Sequence, residues 1–192
     1  MTGTKDRILA AGAELFRQGG YAGTGVKQIV EAAGAPFGSL YHFFPGGKEQ
    51  LGEEVVRGSG RQYIGLFDLF LTPGTGLVEA IEAFFAAGVT TLLETDYAEG
   101  CPIATVALEV ATTNETLRRA TADVFTSWID AGTERLTRFG LPPASARTLA
   151  IALITSLEGA FVLARAMRST EPMAVAGTAV ADVARRLLAE PD

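Results

Sequence analysis

The chain has 192 residues, of which 48% are hydrophobic, and a net charge of −6. This length fits one or two domains with a large apolar core, and the acidic balance by itself argues against a nucleic-acid binder. The single cysteine, Cys101, excludes an intramolecular disulfide and suits a reducing compartment. The amino-terminal residues lack the apolar core of a signal peptide, and the most apolar later stretch, residues 149–157, is too short to span a bilayer. We therefore expect a soluble, cytoplasmic protein with no membrane partner.

Apolar residues recur with helical spacing along the whole chain, with little β-branched alternation, which predicts an all-α fold. Glycine and proline positions set the expected helix ends. The predicted helices cover residues 4–18, 26–33, 37–43, 48–70, 77–94, 102–110, 115–139, 144–168 and 172–189. The first three form a helix-turn-helix domain over residues 1–48. The others form a larger domain over residues 49–192.

The stretch from Gly34 to Lys48 has the pattern of a tight turn followed by a short second helix. Gly34 can end the preceding helix in the left-handed conformation because it has no Cβ, and Pro36 fits the first turn of the next helix. Leu40 and Phe44 are expected to face inward. The other side chains of this helix are aromatic, small or hydrogen-bonding, which suits a helix that enters the DNA major groove.

Charge is unevenly distributed along the chain. Residues 1–48 carry five basic and three acidic residues, a balance of +2, so the remainder carries −8. A mildly basic end on an acidic body favours contact with phosphate at that end. Thr24 is predicted to cap the second helix, without a capping box because Lys27 lies three residues later. A capped helix amino terminus also directs N–H groups at a phosphate.

Many linked positions over residues 4–51 resemble the TetR family of bacterial transcriptional repressors. The resemblance is carried by Ile8-Leu9, Leu15-Phe16, Gly19-Gly20-Tyr21, Thr24-Gly25-Val26, Ile29, Ala32-Ala33-Gly34, residues 38–44 (GSLYHFF) and Lys48-Glu49-Gln50-Leu51. It implies a homodimer, a double-stranded operator and an inducer pocket. The implied DNA-binding residues are Thr24, Lys27, Gln28, Phe37, Gly38, Ser39, Tyr41, His42 and Lys48.

Each of these residues also has a plainer interpretation. Tyr41 and His42 could be ordinary surface and core side chains, and Lys27, Gln28 and Lys48 could be only solvated surface. Phe37 stands where many family members carry a basic or polar residue, so an apolar contact with a thymine methyl could replace a hydrogen bond there. His42 is the only histidine, too few partners for a metal site or a catalytic triad. We expect no cofactor, no metal and no enzymatic activity.

The second domain resembles the LmrA/YxaF-like branch of that family. The matching stretches are Phe44-Pro-Gly-Gly-Lys48, Gly100-Cys-Pro-Ile-Ala104 with Val106-Ala-Leu-Glu109, and Ser156-Leu-Glu-Gly-Ala160 with Leu163-Ala-Arg165. Candidate ligand-binding residues are Phe67, Cys101, Thr105, Glu109, Phe125, Trp128, Glu158 and Phe161. The aromatic ones are most simply core, but together with the polar ones they could line a pocket for a small hydrophobic effector.

Two polar residues of this set have specific chemistry. Glu158 lies in an apolar helix and needs Arg165, a ligand or a subunit neighbour as its partner. Cys101 could be a packed thiol or, near a helix amino terminus, a redox sensor.

The last two predicted helices are apolar on more than one face and need more cover than one monomer supplies. A four-helix dimer seam would supply it and agrees with the resemblance. The expected function is a ligand-responsive DNA-binding regulator, a repressor released from a palindromic operator by a small hydrophobic molecule. The alternative is a helical small-molecule-binding protein or enzyme without specific DNA binding.

Overall fold

A computed structural model describes residues 3–72 and 74–189 of the chain. This part of the chain contains nine α-helices, which confirms the all-α prediction. Their bounds are α1 Thr4–Gly23, α2 Val26–Ala32, α3 Phe37–Phe43, α4 Gly47–Phe70, α5 Leu77–Glu94, α6 Pro102–Val110, α7 Glu115–Thr137, α8 Pro143–Met167 and α9 Glu171–Ala189.

Most helices begin and end within two residues of the predicted positions, because capping and breaking residues act locally. The exception is α1, which was predicted to stop at Gly19-Gly20. It resumes after a single non-helical residue, Gly20, at φ 74° and ψ 173°. Gly58 and Gly60 leave α4 unbroken, contrary to the kink that such residues can cause. A Cβ on Gly60 would lie 2.6 Å from Val124, so this glycine permits a close approach of α7.

The described residues pack as two compact units that differ from a simple division along the sequence. The first unit contains residues 3–62 together with Cys101–Phe125, and the second contains Tyr63–Gly100 together with residues 126–189. The first therefore combines the three predicted helix-turn-helix helices with the start of α4, all of α6 and the start of α7. The domain boundary predicted at residue 48 is a separate matter from this division by packing, and it stays a prediction.

The first unit is closed by apolar side chains from each of its amino-terminal helices. Those with no exposed surface are Ile8, Phe16, Ile29, Leu40, Phe44 and Leu51. Each such burial contributes about 1.5–3 kcal/mol before the entropy of ordering is subtracted. Leu40 and Phe44 face inward as predicted, so the remaining side chains of α3 point away from this core.

The second unit is built mainly on α5, α8 and α9. Close packing there depends on small residues: a Cβ on Gly177 would lie 2.8 Å from the Cβ of Phe85, and one on Gly88 would lie 3.1 Å from the Met173 sulfur. Among the described residues, α8 alone is long and apolar enough to cross a membrane. It is a core helix of this unit, with Leu149 and Leu153 almost fully buried.

Candidate nucleic-acid interface

The turn between α2 and α3 is held by backbone geometry that only a glycine adopts without strain. Gly34 has φ 57°, and the Ala35 N–H donates to the Val30 carbonyl at 2.9 Å. The guanidinium Nε of Arg7, on α1, donates to the Ala33 carbonyl at 3.0 Å. This contact anchors the end of α2, and sequence reasoning missed it because nothing local marks Arg7 as different from a solvated arginine.

The outward face of α3 carries two large aromatic side chains. Phe37 is 53% exposed and Tyr41 is 51% exposed, and their ring centroids lie 5.9 Å apart. One helical turn separates them, so they form a single aromatic surface. Gly38 and His42 are exposed beside them and Ser39 is half-buried. Exposed aromatic surface on a helix that is anchored in the core through Leu40 is available for a partner.

The amino terminus of α2 differs from the prediction. Gly25 occupies the N-cap position, and its N–H donates to Gln28 Oε1 at 2.7 Å. Gln28 is thus the third helical residue and supplies one of the two bonds of a capping box. Thr24 is one residue too early to cap. Its side chain is buried, and its hydroxyl donates to the Gly20 carbonyl at 2.7 Å. The capping prediction for Thr24 was wrong because the Gly20 carbonyl captures the hydroxyl.

Two lysines predicted to contact phosphate have different surroundings. Lys27 is exposed, with its ammonium 3.8 Å from the Glu31 carboxylate on the same helix. Lys48 is half-buried, and its ammonium lies 4.3 Å from the centroid of the Tyr21 ring, a cation–π contact. Burial lowers the pKa of Lys48, and the negative charge of Glu109 opposes that shift. Lys27 therefore presents its charge directly to solvent, whereas Lys48 is held against the protein.

This geometry agrees with the comparisons to known proteins. The family model for bacterial regulatory proteins of the TetR family matches residues 8–55, which include every predicted DNA-binding residue. The model for the carboxy-terminal domain of LmrA/YxaF-like transcriptional regulators matches residues 78–179, more than half of the chain. The chain belongs to the TetR family.

Two relatives and one solved structure show how far the similarity extends. This TetR-family chain is 33% identical to the uncharacterized regulator YxaF of Bacillus subtilis over 88% of its own length and 89% of that protein. It is 31% identical to the regulator LmrA of the same organism over 95% and 97% of the two chains. A TetR regulatory protein from Rhodobacter sphaeroides shares the fold, with 22% identity, a TM-score of 0.81 and coverage of 93% and 97%. The chain is a DNA-binding transcriptional regulator and not an enzyme.

The predicted ligand-binding residues fall into both packing units. In the second unit, Phe67 and Trp128 are buried: Phe67 stacks on Phe84 with centroids 6.0 Å apart, and Trp128 meets Tyr63 at 5.8 Å. Glu158 and Phe161 are half-buried on α8. The guanidinium of Arg165, proposed as a partner for Glu158, donates to the backbone carbonyls of Tyr97 and Ala98. The structure thus supplies an aromatic interior here, and ligand contact stays a prediction.

The other four predicted ligand-binding residues belong to the first unit. Cys101 caps α6, with its sulfur accepting the Ala104 N–H at 3.4 Å, and the Thr105 hydroxyl donates to the Cys101 carbonyl at 2.9 Å. Glu109 accepts the Ala22 N–H from α1 at 2.8 Å. Phe125, on α7, is half-buried. Across residues 3–72 and 74–189, no three His, Cys, Asp or Glu side chains lie close enough together to hold a metal ion.

Proposed function

We propose that this TetR-family regulator is a homodimeric repressor that a small hydrophobic effector releases from a palindromic operator. The observation that carries this proposal is the exposed aromatic face of α3, a helix that fully buried Leu40 anchors in the core. A helix so supported keeps its outer side chains in a fixed position. Fixed side chains on a short helix are what base recognition in the major groove requires.

The proposed reading surface combines base contact with phosphate contact. Phe37 and Tyr41 meet base edges or thymine methyl groups, and Gly38 allows the helix backbone to come close. Lys27 and the amino-terminal N–H groups of α2 hold the phosphate backbone. Thr24 is left out of this surface because its side chain is buried. Gln28 and Lys48 lie at its edge and stay predictions, as do Ser39 and His42.

Apolar surface on α8 and α9 supports dimerisation through the last two helices. Ile151, Val162 and Leu163 on α8, and Val175 on α9, are each at least 40% exposed. Ile151 and Val162 are eleven residues apart, three helical turns, so they lie on the same face. A second copy of the same surface would cover both, with isologous two-fold symmetry. The two α3 helices of the dimer would then read half-sites about 34–36 Å apart, or a multiple of that distance.

The aromatic interior of the second unit supports an apolar effector. Phe84 is the centre of a cluster in which it contacts the rings of Phe67, Phe70 and Phe85 at 5.3–6.3 Å between centroids. Planar apolar compounds suit such surroundings. An effector would act by binding more tightly to a state in which the two α3 helices are wrongly spaced, since only this difference in affinity shifts the equilibrium. The proposed lever is α4, the helix that follows the reading head, which consists of α2 and α3.

A fluorescence-anisotropy titration with DNA from the region upstream of its own gene tests the proposal. We expect sequence-specific binding at moderate salt and its reversal by an apolar aromatic probe such as anilinonaphthalene sulfonate. Lys27→Ala should weaken binding to all DNA about equally and reduce the salt slope by about one. Tyr41→Ala should instead change the preference among operator variants.

The same titration separates the repressor from the alternative, a protein without specific DNA binding. Binding without any sequence preference would exclude the proposed operator-specific repressor. Equal losses on every DNA sequence for both variants would remove base reading from Tyr41. Cytoplasmic location is part of the same proposal, because the operator is chromosomal DNA.

A further inference from the structure

Glu109 connects two parts of the first unit that are far apart in sequence. It lies near the end of α6, and its carboxylate Oε2 accepts the N–H of Ala22 at 2.8 Å, across 87 positions of sequence. A Cβ built on Gly20 would collide with the other carboxylate oxygen, Oε1. Both oxygens of Glu109 therefore lie against the interrupted end of α1.

The end of α1 at this point lacks the ordinary support of a helix. Gly20 has φ 74° and ψ 173°, a conformation that is almost confined to glycine. The break leaves backbone groups without helical partners, and these are satisfied from outside the helix. The Thr24 hydroxyl satisfies the Gly20 carbonyl, and Glu109 satisfies the Ala22 N–H. A bond from an N–H to a carboxylate is about twice as strong as one between neutral groups.

The interrupted segment, residues 20–24, lies directly before the reading head. Gly25, the N-cap of α2, follows it in sequence. Tyr21, in this segment, packs edge-on against Phe16 with centroids 5.5 Å apart. Its ring makes the cation–π contact with the ammonium of Lys48. A shift of this segment would move the amino terminus of α2 and the surface on which Lys48 rests.

We propose that Glu109 is a positioning residue for operator binding, whose carboxylate fixes segment 20–24 and through it the start of α2, which carries Lys27. This role rests on the operator binding proposed above. It replaces the ligand-binding role that the sequence suggested for Glu109, because its carboxylate faces α1. Glu109 itself touches no DNA in this scheme.

The charge of Glu109 and its hydrogen bond have opposite effects on the affinity for DNA. A carboxylate near the DNA-binding head repels phosphate and reduces affinity, whereas the bond to Ala22 raises affinity by ordering the segment. Two substitutions separate these effects. Glu109→Gln keeps an oxygen that can accept the Ala22 N–H and removes the charge, and Glu109→Ala removes both.

Hydrogen exchange at the Ala22 amide and operator titration are measured on wild type and both variants. Glu109→Ala removes a bond to a charged acceptor and should therefore speed Ala22 exchange by about 10- to 150-fold. It should also weaken operator binding by about three- to tenfold. Glu109→Gln should keep most of the protection and bind the operator at least as tightly as wild type. Glu115→Ala is the matched control: it removes the same charge from a carboxylate whose partners, Arg118 and Arg119, lie on its own helix.

Two results would overturn the proposal. In one, Glu109→Ala leaves Ala22 exchange at the wild-type rate, so that no bond orders the segment in solution. In the other, Glu109→Ala speeds exchange but binds the operator as tightly as Glu109→Gln, so that the order has no effect on DNA. The exchange measurement needs no DNA, whereas failure of the wild type to bind its operator would count against the proposed function alone.

Discussion

A double-mutant cycle at Gly20 and Glu109 gives the sharpest test of the interrupted α1. Gly20→Ala introduces two separate costs. Its φ of 74° and ψ of 173° impose backbone strain of roughly 1–3 kcal/mol on a non-glycine residue. The new Cβ would also collide with Glu109 and force its carboxylate away from Ala22, which forfeits a bond worth about 1.5–3 kcal/mol.

The two costs respond differently to the second substitution. In the wild-type background, Gly20→Ala should lower the free energy of unfolding by the sum of both, about 2.5–6 kcal/mol. In a Glu109→Ala background the collision and the bond are already gone, so only the backbone strain remains. The difference between the two backgrounds, about 1.5–3 kcal/mol, is the coupling between the sites.

Urea denaturation followed by circular dichroism measures all four proteins of the cycle. The matched control is Gly23→Ala, where a Cβ meets no atom within 4 Å; it should leave stability unchanged or raise it by up to about 1 kcal/mol. Equal costs of Gly20→Ala in both backgrounds would mean that Glu109 does not lie against Gly20 in solution. If Gly20→Ala lowered the free energy of unfolding no more than the control does, the positive-φ backbone conformation of Gly20 would be refuted.

Three further predictions concern other parts of the chain. Gly38→Ala should raise the stability of α3 by about 0.5–1 kcal/mol, since a Cβ there meets nothing within 4 Å. It should weaken operator binding, because the methyl group would stand between helix and DNA. A tighter complex in the anisotropy assay would remove Gly38 from the interface. Val162→Glu should convert the dimer to monomer in sedimentation velocity, since it buries unpaired charges at the proposed two-fold contact; an unchanged mass would place the dimer contact elsewhere. The hydrogen bonds from Arg118 and Arg119 lower the pKa of Glu115 from 4.5 to about 2. The contribution of Glu115 to stability should therefore be complete above pH 4.5 and disappear as the pH falls towards 2. A carboxyl NMR titration of Glu115 with a midpoint near 4.5 would show that these bonds are not formed.

The sequence predicted the fold well wherever the determining residues are neighbours. The bounds of α3 follow from Pro36 before it and from the inward spacing of Leu40 and Phe44, and the bounds of α5 match the predicted 77–94 at both ends. These signals are local, so a single sequence contains them completely.

The exposed aromatic face of α3 was equally accessible to prediction. Once Leu40 and Phe44 are assigned to the core, helical periodicity leaves Phe37 and Tyr41, one turn apart, for another face of the helix. What periodicity could not supply was the base or phosphate that each residue meets, and those assignments remain predictions.

Long-range contacts were out of reach of the sequence. Gly19-Gly20 has the local pattern of a helix end, and the continuation of α1 is supported by the carboxylate of Glu109, which lies 87 positions after Ala22. The same carboxylate was predicted to line a ligand pocket together with other polar and aromatic residues, among them Cys101 and Thr105. Thr24 was misassigned for a related reason, since its bond to the Gly20 carbonyl depends on that interruption.

Residues 101–125 pack against α1 and α4, and this packing has a consequence for the construction of hybrid regulators. A head transplanted as residues 1–48 alone would lose Glu109 from α6. It would also lack both Gly52 and Leu117, which pack closely: the Leu117 side chain lies 3.2 Å from where a Cβ on Gly52 would stand. Even a longer graft through Gln62 would lose the bond from Asn114 to Glu49 at 2.7 Å. An exchangeable specificity module of this protein is therefore discontinuous in sequence, and a recipient must accept residues 101–125 along with the first 62.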